Sequence, residues 1–479
     1  MLGWDGPERE KLWRYNQHYF DDLNAVDAGE RSHWHHALIQ RWIKENPPGT
    51  GSGWEPYPTS QRIVNWVKWK LAGHPFSDEY LQSMATQTRW LSRRIEWHIL
   101  GNHLYANAKA LVFAGFCFEG PEAQMWLKIG LDIIAQELQE QVLPDGGNFE
   151  RSTMYHAIFL EDLLDLVNLA GAYSGLVGNE HVDQWRATAS KMLNWLEAMC
   201  HPDGEIAFFN DAAIGIAPSP AEIKAYANRL GISSDRVAIS SGKPTLIQFA
   251  DSGYIRLNAV QAVAFLDVAP IGPDYIPGHA HADTLSFELS LFGERVLVNG
   301  GTSQYGSGSV RLEERGTQAH NTVAIDGENS SEVWSGFRVA KRAYPRGLVV
   351  KQSDQSVWVA CAHDGYTRLP GRAVHKRSWQ LHNGKLLVQD QVVGEFETAV
   401  AHFHFHPNIR FAATDRCHYS LRLPDSGQEV QLTIRSGTAS VGKSFFSPEF
   451  GIRLNSHCLA VRPEFDNSII VEISWSINE

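Results

Sequence analysis

Cysteine is scarce. Five residues in a 479-residue chain (117, 200, 361, 417 and 458) are too scattered for a disulfide framework, and without a CxxC pair they offer no zinc knuckle or redox motif. They read as reduced or buried thiols. No apolar run reaches the roughly 18 residues of a transmembrane helix, so no membrane span is expected. There is no G-x-G-x-x-G leading from a strand into a helix, no Walker A loop and no G-x-S-x-G elbow, which removes the common dinucleotide, nucleotide and serine-hydrolase templates. Positive charge is also short: 42 Lys and Arg against 54 Asp and Glu leave a net charge of −12, so nucleic acid is not an expected partner. An anionic substrate survives this test, because a few arginines in a cleft act locally, over about 8 Å. The first residues, MLGWDGPEREKLWRYNQHYFDDL, lack the basic start and apolar centre of a signal peptide. That reads as cytoplasmic for a complete chain, and as periplasmic or secreted for one from which a leader was removed.

Present in quantity are Trp (16) and His (21), within an otherwise ordinary composition of 43% hydrophobic and 20% charged residues. Indoles pack between helices and also offer flat apolar faces to sugar rings, and packing is expected to claim most of them. The length exceeds what one core usually holds, so two domains are expected. Up to about residue 235 the apolar residues recur with a helical period, as in SQRIVNWVKWKLAG, LYANAKALVFAGFCF and QMWLKIGLDIIAQELQEQVL, with Gly, Pro and Asp between the segments. From about residue 246 the period becomes two, in many short segments such as SGYIRLN, SVWVACAH and SIIVEISWS. Asn383-Gly384 predicts a hairpin with a type I′ turn. The expectation is helical hairpins packed in series over residues 1–245, then an antiparallel β-sandwich over 246–479, with the boundary near ISSGKPT.

Three constellations stand out as chemistry. In GNHLYANAKALVFAG, Asn102 and His103 follow the Gly101 break at a helix start, where Asn is also a common cap. In LPDGGNFERSTMYHAIF, a glycine-rich turn delivers Glu150, Arg151, Ser152 and Thr153 to a helix with Tyr155 and His156 in its first turn. Positive potential there favours a phenolate, although a tyrosine simply packed at the rim has the same sequence. In GHAHADTLSFELSLF, His279, His281 and Asp283 at spacing two would share a face of an extended chain. With Asn299 and His320 they supply enough imidazole and oxygen for a divalent metal, zinc first. HFHFHP, with His402, His404 and His406, shows the same spacing and reads as a structural strand. YGSGS reads as a mobile loop.

Taken in order, LWRYNQHYFDDL, EPYPTSQRIVNWVKW, GNHLYANAKALVFAG, GGNFERSTMYH, GHAHADTLSFEL and RGTQAHNTVAIDG, within residues 12 to 327, resemble the heparinase II/III family of polysaccharide lyases. The resemblance implies an α+β multidomain chain: an incomplete (α/α) toroid, then an antiparallel β-sandwich. It implies β-elimination at a uronic acid, with Asn102 neutralising the substrate carboxylate, Tyr155 as catalytic base and acid, and His279 assisting proton transfer. It places a metal at His281, Asn299 and His320. Here the chain departs from the family, which has Asp at the position of Asn299; a neutral amide is a poorer ligand, and Asp283 lies close enough in sequence to compensate.

The residue types suit that chemistry. Donors that take up the charge of a developing enolate usually supply the largest catalytic effect. His103, Arg62, Arg151, Glu150 and His156 are the expected substrate-binding residues around the catalytic three. An acidic polysaccharide is the expected partner, with a uronic-acid-containing bacterial exopolysaccharide or capsule, or a glycosaminoglycan-like chain, as substrate. A glycoside hydrolase using two of Glu150, Asp145 and Asp211 is the alternative enzyme. A polysaccharide-binding protein that grips without cutting is the third reading.

Overall fold

The structure, a computed structural model, describes residues 3–234, 242–464 and 466–477. The chain forms two compact units. One comprises Met1–Gln141 and Asp162–Ala187, the other Val142–Glu161 and Thr188–Glu479. The expected boundary stretch ISSGKPT lies in part outside the described residues.

The helices are α1 (Lys11–Asn16), α2 (Ser32–Glu45), α3 (Pro56–Leu71), α4 (Asp78–Ser92), α5 (Gly101–Cys117), α6 (Pro121–Gln141), α7 (Thr153–Ala172), α8 (Asn179–Ala198), α9 (Pro220–Arg229) and α10 (Ser309–Arg315). In the first unit α5 is buried on nearly every side, as its continuous run of Ala, Leu, Val and Phe requires. It lies very close to α6: a Cβ on Gly130 would stand 2.7 Å from the Ala108 carbonyl oxygen, so only glycine allows this approach. The polar residues of α5 are paired. Asn107 Nδ2 donates to Ser60 Oγ and Glu96 Oε2, and Lys109 Nζ reaches Asp162 and Asp165 at 2.5 and 2.6 Å. Trp42, Trp54, Trp66 and Trp69 are buried in this unit, packing as expected, whereas Trp34 and Trp97 are exposed. α3 ends as its sequence predicts, with Gly73 at φ 91 just past the cap and its N–H donating to the Lys70 carbonyl.

The second unit carries the sheets. A five-stranded antiparallel meander holds β1 (Thr245–Phe249), β2 (Tyr254–Ala259), β3 (Ala262–Asp267), β4 (Phe287–Leu291) and β5 (Glu294–Leu297) in chain order. There follow β6 (Val323–Ile325), the two-stranded hairpin β7 (Val333–Trp334) and β8 (Arg338–Val339), then β9 (Pro345–Gln352), β10 (Ser356–His363), β11 (Val374–His382), β12 (Lys385–Val393) and β13 (Ala399–His404). The last strands are β14 (Arg410–Ala413), β15 (His418–Arg422), β16 (Glu429–Ser436), β17 (Thr438–Phe446), β18 (Leu454–Arg462) and β19 (Ser468–Trp475). An eight-stranded sheet runs β14-β15-β16-β19-β12-β11-β10-β9, and a four-stranded one β17-β18-β13-β6. Alternating burial in β10 and β11 marks a sheet with one face on the core, while β4, buried throughout, is covered on both faces. One apolar core, including Phe287, Trp379, Phe403 and Val471, joins the three larger sheets. The helical-then-antiparallel architecture is the one the period change predicts.

Two local expectations fail. The hairpin at Asn383-Gly384 forms, with His382 paired to Lys385, but only Gly384 takes a positive φ, so the turn is not type I′. Asn383 is instead engaged by the Val260 N–H and the Gly242 carbonyl, contacts a two-residue pattern cannot show. The segment from His279 to Asp283 is not strand but loop; Leu285, at φ 62, breaks the alternation and β4 starts only at Phe287.

Candidate functional site

Asp211 organises the site in the second unit. Fully buried, it accepts from His279 Nδ1 at 2.9 Å and His281 Nε2 at 2.8 Å. Thr302 Oγ1 donates to it at 3.3 Å, and both terminal nitrogens of Arg311 clamp it, Nη2 at 2.7 Å. Burial opposes its ionisation, but the Arg311 guanidinium and the two imidazole N–H groups outweigh this and hold its carboxyl well below the usual range. An ionised acceptor fixes the tautomers: His279 carries its proton on Nδ1 and His281 on Nε2. His279 Nε2 is thereby turned away from Asp211, 3.5 Å from Glu150 Oε2, with 13% of the side chain exposed.

Tyr155 lies on this histidine. Its ring stacks on His279 with centroids 3.8 Å apart, and its hydroxyl is 2.8 Å from that of Tyr305. The start of α7 is pinned to the same loop. Ser152 Oγ accepts from the Tyr155 N–H, capping the helix, and donates to the Asp211 carbonyl at 2.5 Å; Thr153 Oγ1 donates to the Ala207 carbonyl. The Asp211 N–H in turn donates to the His279 carbonyl, so tyrosine, histidine and carboxylate are held as one body.

The expected metal residues come together only in part. His281 Nδ1 faces His320 Nε2 at 3.2 Å; burial holds His281 down to about 4 and pushes His320 well below its ordinary value, so both are neutral. Asn299 is committed elsewhere: its amide nitrogen donates to the Phe208 carbonyl at 2.8 Å, and its oxygen accepts from the Asn321 N–H. Among the described residues no three His, Cys, Asp or Glu side chains are grouped to hold an ion. This donor set, two imidazoles and a backbone-bound amide, does not fit a three-ligand zinc centre. Nor does Asp283 compensate: it accepts from the Asn210 N–H, and burial pushes it up to about 7.

In the first unit, Asn102 stands in the first turn of α5 and does not cap it; Leu100, at φ 63, is the cap residue, and the Asn102 side chain makes no hydrogen bond among the described residues. His103 is half-buried, its ring tilted against that of Tyr57 with centroids 4.5 Å apart, its Nδ1 3.2 Å from Glu96 Oε1. Two of the expected substrate-binding residues are instead core. Arg62 is fully buried over the Trp42 ring, donating to Gln87, Thr59 and the His18 and Gly53 carbonyls. His156 is also fully buried, accepting from the Asn148 N–H and bonding the Met192 carbonyl, which leaves no nitrogen for a ligand. Arg151 is half-buried at φ 59 and donates to the Ser252 carbonyl. Arg311 and Tyr305 were not foreseen. The stretch read as a mobile loop carries Tyr305 and leads into α10, where Arg311 and Arg315, four residues apart, share the helix face turned inward.

Comparison with known proteins gives the family and the fold. The model for the heparinase II/III N-terminus matches residues 17–230, and that for the heparinase II/III-like C-terminal region matches 241–473. The chain belongs to the heparinase II/III family. A heparin-sulfate lyase of Bacteroides stercoris is 25% identical over 398 residues, 72% of this chain and 58% of the relative. One from Pedobacter heparinus is 23% identical over 396 residues, 74% of this chain and 55% of that protein. This chain therefore spans little more than half the length of these relatives. The crystal structure of heparinase III aligns with a TM-score of 0.76 at 18% identity, over 98% of this chain and 76% of that one, so the fold is shared.

Proposed function

We propose that this protein cleaves a uronic-acid-containing polysaccharide by β-elimination. The supporting observation is the stack of Tyr155 on a histidine whose tautomer Asp211 and Arg311 fix. In this reading the Tyr155 phenolate takes the C5 proton of the uronate. The C5–H electron pair becomes the C4–C5 double bond, the C4–O bond breaks, and the departing oxygen receives a proton from Tyr155. Tyr305, donating to the phenolate, stabilises the base. His279 Nε2 accepts or returns the proton, and Asn102 takes up carboxylate charge, the roles given by the family resemblance. No step is assigned to a metal.

The hydrolase reading loses its carboxylate pair. Asp211 is occupied by Arg311, and Asp145 is bound by the N–H groups of Gly147, Asp251 and Ser252, which leaves Glu150 alone of the three. The names of the curated relatives make heparan-type glycosaminoglycans the first substrates to try, with bacterial uronate polysaccharides second. The test is ultraviolet absorbance of the unsaturated uronate product, with Tyr155→Phe alongside. A rise reduced roughly 10²–10⁴-fold in the variant supports the proposal. New reducing ends without the chromophore, surviving Tyr155→Phe, refute it.

A further inference from the structure

The hairpin β7–β8 is small, yet it is fastened to the reacting groups. Its loop is Ser335-Gly336-Phe337, with Trp334 paired across the ladder to Arg338. Arg311, the residue that clamps Asp211, donates through Nε to the Gly336 carbonyl at 3.0 Å; Arg315 donates to the Ser335 and Arg338 carbonyls. A Cβ on Gly336 would stand 2.5 Å from the Gly306 carbonyl oxygen, so the hairpin tip is pressed against the loop bearing Tyr305. Phe337 meets the site edge-on, its ring 6.0 Å from His279 and 5.2 Å from Tyr305.

Aromatic side chains anchored this firmly normally finish buried, but here Phe337 is 41% and Trp334 55% exposed. Cross-strand partners share a face, so Arg338 projects beside Trp334. Arg338 is exposed and has no carboxylate within ion-pair distance among the described residues. Two open aromatic faces and an unspent cation beside a proton-transfer centre form a surface suited to an anionic sugar: the apolar face of a pyranose stacks on a ring while its acid group meets the guanidinium.

We propose that the β7–β8 hairpin is a carbohydrate subsite, with Phe337 against a sugar ring adjoining the reacting uronate, and Trp334 and Arg338 holding a further anionic residue of the same chain. The subsite rests on the elimination reading above, and the experiment separates the two. Elimination kinetics are measured on heparan sulfate, hyaluronan and a glucuronan, each as polymer and as tetrasaccharide. Trp334→Ala carries the test, since among the described residues no hydrogen bond or ring contact joins Trp334 to His279, Tyr155 or Tyr305. KM for the polymer is expected to rise roughly tenfold, the order of one lost ring-stacking contact, with kcat unchanged and Trp334→Phe restoring most of the loss. Phe337→Ala is expected to raise KM for polymer and tetrasaccharide alike. Unchanged KM in Trp334→Ala, in an enzyme that does make unsaturated product, overturns the subsite. No unsaturated product from any of the three polymers with wild-type protein overturns the elimination reading itself, and the subsite with it.

Discussion

Replacing Asp211 by Asn keeps the shape of the side chain and removes its charge. All five groups that contact the carboxylate (His279 Nδ1, His281 Nε2, Thr302 Oγ1 and the two Arg311 nitrogens) are donors. Whichever way the new amide turns, its NH2 meets N–H groups. Arg311, fully buried, loses its counter-charge, and breaking such a pair costs about 3–5 kcal/mol. Set against about 5–15 kcal/mol for a whole domain, this leaves a folded but weakened protein. The chemical effect is separate. An amide that donates to His279 Nδ1 moves the imidazole proton to Nε2, so the histidine can no longer accept there, and kcat is expected to fall roughly 10²–10⁴-fold. The assay pairs denaturant unfolding with initial rates of unsaturated-product formation, at a temperature where the variant is folded. Lost stability with kcat retained would make Asp211 a structural residue only. If both are retained, the carboxylate is not the organising group and the reasoning fails.

Ser152→Ala removes both the cap of α7 and the tie to the Asp211 carbonyl; stability is expected to fall by about 1 kcal/mol and kcat to drop with KM unchanged, and an unchanged kcat would show that the tie does not position Tyr155. Asp165 is held at about 2 because Lys109 and Lys68 outweigh its burial, so its stabilisation is present above the unfolded carboxylate value and lost as pH falls toward 2. Asp165→Asn is therefore expected to cost on the order of 2 kcal/mol in urea unfolding at pH 7, with a gap to wild type that closes below about pH 4; a gap constant down to pH 3 would refute the pairing. Asn299→Asp puts a carboxylate against the Phe208 carbonyl, so the variant is expected to melt lower than wild type in chelator and to gain more from added zinc; equal gains in both proteins would mean that Asn299 already serves as a ligand.

The fold was legible because each half of the chain keeps one period. Helix α6 buries the stripe its spacing marks, α3 and α5 are covered nearly all round, α5 as its apolar run requires, and β10 and β11 alternate as their sequences do. Errors came where a tertiary contact overrides a local preference. Asn383 has the composition of a type I′ turn but is held by Val260 and Gly242, far away in sequence. Arg62 sits among polar neighbours in a helix that looks half-exposed, yet its guanidinium fills a core position because carbonyls of two loops and Gln87 satisfy it.

The residues proposed to react stood out in the sequence and those that support them did not, for one reason. Asn102, Tyr155, His279 and His281 lie in short motifs, each at a helix start or in a loop, where polar side chains interrupt apolar runs. Asp211 reaches its partners across 68, 70 and 100 residues, to His279, His281 and Arg311, and no spacing rule spans such distances. The arginine was further hidden by its setting, since VRLEERG reads as a solvated helical turn. The spacing-two histidines predict an extended segment with a shared face, and the structure places them in a loop. A strand would have aimed both along one face, in parallel. The loop instead lets His279 Nδ1 and His281 Nε2 converge on opposite oxygens of one carboxylate, so that His279 keeps Nε2 turned away from it while His281, braced by His320, is spent on holding it in place.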